Sequence, residues 1–168
     1  MKWIAISGSW RVTNQEIENK VRQEIKKIIE AGDGIVTGGA LNVDFFATDE
    51  AMKWDQTFKQ IKIFLPSTLE KYAVHYRKRA TEGVITSQQA EELIAQLSKL
   101  QNINPGSIIE GSFDIIDKDS YYDRITKIVD ASDELLAFQV NNSAGVQDTI
   151  DKAKKRNIPV KLYSYEIK

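Results

Sequence analysis

Apolar positions along this chain switch between two periods. Trp3-Ile4-Ala5-Ile6-Ser7 is a strand-sized apolar run that breaks at Gly8, and Asn14 is placed to cap a helix carrying Ile17, Val21, Ile25, Ile28 and Ile29 at helical spacing until Gly32 and Gly34. Gly34-Ile-Val-Thr37 then reads as a second strand, Gly38-Gly39 as a turn, and Phe46, Ala47, Ala51 and Trp54 as one face of a second helix. Ile61-Lys-Ile-Phe-Leu65 is a third strand, stopped by Pro66. From Ser120 the pattern resumes. It gives a helix with Tyr121, Ile125, Ile128 and Val129, a strand over 134–138, a polar loop from Gln139 to Gly145, a helix to about Arg156 and a closing strand over 159–163. Strands alternating with helices build a parallel sheet covered on both faces. The expected fold is therefore α/β, a doubly wound, mainly parallel Rossmann-like sheet.

Residues 67–118 interrupt this regularity and read as a helical elaboration at the sheet's edge. One helix is expected over 67–82 and another over 87–100, with Gly83-Val-Ile-Thr86 between them. Asn102 to Gly106, containing Pro105, reads as a loop, and Ser107-Ile-Ile-Glu110 as a candidate short strand.

Composition narrows the class. At roughly 150 residues per domain, a chain of 168 residues with no repeat or linker reads as a single domain, 1–168. The absence of cysteine excludes a disulfide scaffold, a thiolate zinc site and a cysteine nucleophile. No apolar run approaches the roughly 20 residues of a membrane span, and no secretory signal is visible, so a cytoplasmic location is expected. With 23 basic and 24 acidic side chains the net charge is −1, which does not favour wholesale electrostatic capture of nucleic acid or membrane.

In such a sheet, ligands sit beyond the carboxyl ends of the strands, where the winding reverses. Small residues gather at three of those ends: Gly8-Ser9, Gly38-Gly39-Ala40, and Asn141-Asn-Ser-Ala-Gly145. Glycine admits close approach of a ligand to the backbone, and the helix N-terminus that follows offers free N–H groups to phosphate. No Gly-x-Gly-x-x-Gly fingerprint or Walker motif occurs, which disfavours an ordinary dinucleotide dehydrogenase or P-loop NTPase.

Four segments, taken in order, resemble the SLOG superfamily, the Rossmann-like group of DNA-processing protein A (Smf) and the LOG phosphoribohydrolases. They are Ile6-Ser-Gly-Ser-Trp-Arg11, Ile35-Val-Thr-Gly-Gly-Ala40 with Val43-Asp44, Arg124 through Ser132-Asp133, and Ser143-Ala-Gly-Val-Gln-Asp-Thr149. Leu65-Pro66, Tyr72, His75 and Gly83 to Ser87 look like the segment that follows the third strand in the DNA-processing branch, and Ser87 to Gly106 adds helix. The enzyme branch fits less well. Its Pro-Gly-Gly-x-Gly-Thr-x-x-Glu would overlay Ser143 to Thr149 and put Thr149 where that branch has its acid/base glutamate. The resemblance implies a homodimer and a nucleotide or nucleotide-derived phosphate ligand. The alternatives are a LOG-like nucleoside-monophosphate phosphoribohydrolase and single-stranded DNA binding, the latter not favoured.

The ligand-binding candidates are Gly8, Ser9, Arg11, Gly38, Gly39, Ala40, Asp44, Arg124, Asn142, Ser143, Gly145 and Thr149. Arg11 and Arg124 can offer bidentate donors to phosphate, and Asp44 can bond a ribose hydroxyl or cap a helix. Arg124 is expected beside the buried stripe of its helix. No catalytic residue, metal or cofactor is assigned. His75 is the sole histidine, which argues against a histidine metal site, and Asp114, Asp117, Asp119 and Asp123 read as an acidic loop and helix start. His75-Tyr-Arg-Lys-Arg79 reads as a solvated basic helix face.

Overall fold

The computed structural model describes all 168 residues. In chain order the elements are β1 (Trp3–Gly8), α1 (Gln15–Glu30), β2 (Gly34–Thr37), α2 (Val43–Trp54), β3 (Ile61–Phe64), α3 (Leu69–Thr81), α4 (Ser87–Ile103), β4 (Ile108–Ile109), α5 (Lys118–Asp130), β5 (Glu134–Val140), α6 (Ala144–Lys155) and β6 (Val160–Tyr165). The six strands form one sheet in the order β4-β3-β2-β1-β5-β6, and every pairing is parallel. The fold is the expected doubly wound α/β sheet.

Local chemistry sets the helix starts. The Asn14 side chain accepts from the Ile17 N–H at 2.9 Å, which satisfies one of the free donors at the start of α1. Reciprocal capping boxes open α4 at Thr86/Gln89 and α5 at Asp117/Ser120. The period-2 alternation of β1 sends Ile4 and Ile6 to one face of the sheet and Ala5 to the other. On the first face, 26 buried residues join α1 to α4 with Ile35, Ile61, Ile63, Leu136 and Phe138. On the second, nine residues join α5 and α6 to Ala5, Val36, Leu135 and Ala137. Right-handed crossovers account for this split. The chain winds outward from β1 through β2 and β3 to β4 with helices on one face, then returns to β5 and β6 with helices on the other. The winding reverses between β1 and β5.

The 67–118 region is the expected edge elaboration, but its loop is shorter than the sequence implies. Asn102 and Ile103 continue α4, and a single 3₁₀ turn over Pro105–Ser107 leads into β4. The polar residues there bond to the fold rather than to solvent. Asn104 Nδ2 donates to the Phe58 carbonyl at 3.0 Å, and Ser107 Oγ donates to the Asn104 carbonyl at 2.7 Å. β5 likewise runs two residues past the expected 138. Gln139 is buried because its side-chain amide bonds to the Ser143 carbonyl at 3.2 Å and to Gln147 at 3.1 Å, and so ties the strand to the turn that follows it.

Candidate functional site

A cavity of about 390 Å³ opens at the reversal point, beyond the carboxyl ends of β1, β2 and β5, with α5 as a further wall. Such crevices are where ligands bind in open parallel sheets, and the volume falls in the roughly 300–1,000 Å³ range of small-molecule sites. Of the twelve sequence candidates, Gly8, Ser9, Arg11, Gly38, Ala40, Asp44, Arg124, Ser143, Gly145 and Thr149 line it. Gly39 and Asn142 do not. Gly39 has φ of +65°, and a Cβ there would meet Ile63 Cγ2 at 2.9 Å and Leu65 Cδ2 at 3.0 Å, so it faces the core. Asn142 is an exposed turn residue with φ of 53°.

The three loops are held by different devices. After β1, Ser9 Oγ accepts from the Val12 N–H at 2.9 Å and the Arg11 N–H at 3.3 Å, and the Ser9 carbonyl accepts from the Val43 N–H at 3.3 Å. After β2, one Asp44 oxygen accepts from the N–H groups of Gly38 and Ala40, each at 3.2 Å. Asp44 thus shapes the turn from the first turn of α2. After β5, Asn141 and Asn142 both adopt positive φ and carry the chain into α6, whose N-cap Ser143 makes no capping bond. Its hydroxyl is buried without a partner. The first-turn N–H groups of a helix have no acceptor within it, so this end of α6 presents donors to the cavity. Thr149 faces the same space but donates its hydroxyl to the Gly145 carbonyl at 3.0 Å.

Two glycines are explained by packing instead of by a ligand. A Cβ on Gly8 would fall 2.4 Å from Val43 Cγ1, and one on Gly38 would fall 2.8 Å from the Arg124 guanidinium carbon. The latter shows how close Arg124 comes. Ser120, Arg124 and Ile128 lie at i, i+4 spacing on α5, so Arg124 rides the inward face of the helix and not the border of its apolar stripe. Its Nη1 donates to the Gly38 carbonyl at 2.8 Å and lies 3.5 Å from the Tyr72 hydroxyl, while its Nε is buried without a partner. The guanidinium carbon also sits 4.8 Å from the Tyr121 ring centroid, a cation–π distance. Tyr72 in turn donates to the Gly39 carbonyl at 2.9 Å and stands 3.2 Å from the Tyr76 hydroxyl.

This polar cluster sets the charges around the cavity. Burial pushes the Asp44 carboxyl above its usual range, opposed by nearby Arg124 and the N–H groups of Ala40 and Gly38. Burial also disfavours the Arg124 charge, but the guanidinium stays charged, with the Asp44 carboxyl as the ionisable acidic partner beside it. The Tyr72 and Tyr76 hydroxyls are raised by burial and stay neutral. Asp44 is the one carboxylate in the lining, facing two cations, Arg11 and Arg124. α6 contributes no carboxylate to the cavity, since Val146 and Thr149 occupy its inner positions.

The other residues singled out in the sequence lie outside the cavity. His75 is half-buried with its Nε2 3.2 Å from the Tyr121 hydroxyl, and burial lowers its pKa, helped by Arg79 and Lys78. Arg77 and Arg79 are exposed and paired with Glu91 and Glu82. Asp117 caps α5, while Asp114 and Asp123 pair with Lys71 and Lys127, and no group of side chains in the chain is arranged to hold a metal.

Sequence reasoning passed over Trp10, Val12, Ile125, Ile128, Val140, Asn141 and Val146, which also line the cavity. Ile125 and Ile128 were readable only as a buried helix face. Trp10 carries a signal of its own, a large aromatic between a strand end and a helix cap.

The class that these features define is a doubly wound parallel α/β fold with a cationic, helix-capped crevice at its topological switch point. No family model and no curated protein matches the chain in sequence. Its fold is similar to that of DNA processing protein A from Helicobacter pylori, solved in work on that protein's single-stranded DNA binding mode. The TM-score is 0.69 at 20% identity, with 96% of this chain and 64% of that one covered. The chain thus spans a little under two thirds of its structural neighbour. No helix is long and apolar enough to cross a membrane.

Proposed function

We propose that the crevice binds a nucleotide or nucleotide-derived phosphate ligand, in the manner of a SLOG-type protein. The observation that carries this reading is the convergence of three strand-end loops on one cavity. That cavity holds an uncapped helix N-terminus, and two of its lining residues, Ser143 and Arg124, each keep a buried polar atom without a partner, the hydroxyl and the Nε. Buried polar atoms without partners are few in folded proteins, and two on residues that line one cavity support a polar ligand there. In this reading Arg11 and Arg124 grip phosphate, Ser143 and the α6 N-terminus supply neutral donors, and Asp44 holds the β2 turn in shape. A thermal-shift screen with nucleoside mono- and diphosphates, inorganic phosphate and short single-stranded DNA tests it. A ligand at a hundred times its Kd stabilises the fold by about 2.7 kcal/mol, a shift of several degrees. No shift with any phosphate compound would overturn the proposal.

A second reading, single-stranded DNA binding, draws support from the DNA processing protein A neighbour and from the exposed Trp10 beside Arg11 at the cavity. It requires oligonucleotide affinity that falls steeply with salt. Hydrolysis of a nucleoside monophosphate is the third reading. Asp44 is the sole carboxylate available to it, and release of free base from AMP would establish it.

A further inference from the structure

The chain has three tryptophans, and two of them have evident duties in the fold. Trp54 donates its indole N–H to Glu50 at 2.8 Å and carries the Lys26 ammonium over its ring at 4.6 Å. Trp3 packs against the smaller core cluster with Lys62 over its ring at 4.0 Å. Trp10 is different. Like Trp54 it is largely exposed, at 42%, and belongs to neither core cluster, but it alone of the three forms part of the cavity wall. The loop that carries it is nevertheless pinned on both sides. The Ser9 hydroxyl and carbonyl make the bonds to Arg11, Val12 and Val43 described above, and Asn42 Nδ2 donates to the Trp10 carbonyl. The Arg11 guanidinium carbon lies 5.2 Å from the indole ring centroid. An exposed indole on a fixed loop, next to a cation and on the wall of a crevice of about 390 Å³, is a ready stacking surface for a planar aromatic group.

We propose that Trp10 is the base-stacking platform of the crevice, so that the ligand class is a nucleoside phosphate and not a bare sugar phosphate or inorganic phosphate. This rests on the reading of the crevice as a phosphate-ligand site. The division of labour is that Arg11, Arg124, Ser143 and the α6 N-terminus recognise the phosphate, while Trp10 recognises the base by its π-face. Stacking is tolerant of base identity because every base has such a face. Discrimination among bases is therefore expected to be weak, and discrimination between nucleotide and sugar phosphate strong.

The test is calorimetric titration of wild type, Trp10→Ala and Trp10→Phe with AMP, CMP, ribose 5-phosphate, inorganic phosphate and a dT6 oligonucleotide. Wild type should bind AMP and CMP about tenfold or more tightly than ribose 5-phosphate, in line with the stacking contribution of one base. Trp10→Ala should lose that advantage and leave ribose 5-phosphate affinity unchanged, and Trp10→Phe should retain most of it. Equal wild-type affinity for AMP and ribose 5-phosphate, or a Trp10→Ala effect that is the same for both, would overturn the stacking role and leave the phosphate-site reading standing. Binding of dT6 alone, lost in Trp10→Ala, would overturn it in favour of a nucleic-acid surface. Binding of none of the five probes by the wild type would overturn both this proposal and the phosphate-site reading on which it rests.

Discussion

Arg124 illustrates how one side chain carries both structure and the proposed function. Its guanidinium fills the space left by the missing side chain of Gly38 and donates to that residue's carbonyl. Arg124→Ala should therefore lower stability by about 1.5 kcal/mol through loss of a charge-assisted bond, and lower phosphate-ligand affinity roughly ten- to hundredfold. Urea unfolding and calorimetry with AMP measure the two effects separately, and a stability loss with unchanged AMP affinity would confine Arg124 to the fold. Asp44 offers a test by pH. Its carboxyl is raised above the ordinary 3.8 by burial, so the folded chain holds this proton more tightly than the unfolded chain does. Stability from this group is accordingly highest below pH 3.8 and falls as pH rises through the raised value, after which the full cost of the buried charge is present. Asp44→Asn removes that slope, and its amide oxygen can still accept from Gly38 and Ala40, which already share one oxygen. Melting temperatures from pH 4 to 7 should show the variant gaining on wild type as pH rises; a constant difference would mean that ionisation of Asp44 is not what the fold resists. Gly39→Val, finally, reports on the core. It combines a left-handed backbone, costing about 1–2 kcal/mol, with overpacking against Ile63 and Leu65 worth about 1–3 kcal/mol, and circular dichroism melts should register the sum.

At the scale of elements, the N-terminus of α6 separates ligand binding from stability in opposite directions. Gly145 is the second residue of the helix, and a side chain there would meet nothing within 4 Å. An aspartate at this place complements the helix dipole and should stabilise the fold by about 0.3–1 kcal/mol. The same charge would stand where the phosphate is proposed to sit. Gly145→Asp should thus raise the melting temperature and abolish AMP binding, whereas retained binding would move the anion away from α6. Helices and strands were legible in the sequence because their signals are local: the Asn14 cap, the helical stripe from Ile17 to Ile29, and the break at Pro66 all act within one turn or one strand. The convergence of the three glycine-bearing loops was legible too, since it follows from parallel winding alone. What escaped the sequence depends on contacts across the sheet. Gln139 looks like a loop residue until Gln147 is placed beside it, Gly39 looks like a ligand contact until Ile63 and Leu65 close over it, and Arg124 looks like a neighbour of the buried stripe until Gly38 makes room for it on the inward face.

For the whole molecule, the sheet is unequally supported, and the crevice lies on the seam. One face is closed by 26 buried residues from α1 to α4 and their strands, the other by nine from α5, α6 and theirs. Burial is the main source of stability and local opening follows it, so the α5–α6 layer should open at lower free energy than the α1–α2 layer. The cavity draws on both sides of that seam, taking Gly8 to Val12 from the β1 end and Arg124, Ile125, Ile128, Ser143 and Val146 from the thinner layer. Any opening of α5 or α6 therefore dismantles the site. In native-state hydrogen exchange, amides of α5 and α6 should exchange faster than those of α1 in the free protein. AMP at a hundred times its Kd should slow them by up to about a hundredfold, because the bound state must be abandoned before they open. Amides flanking the exposed Gly83–Thr86 turn fray without touching the cavity and should keep their rates. Equal protection of α5 and α1 before ligand is added would show that the smaller core is no weaker, and slowing of every amide alike would show that the molecule opens only as a unit.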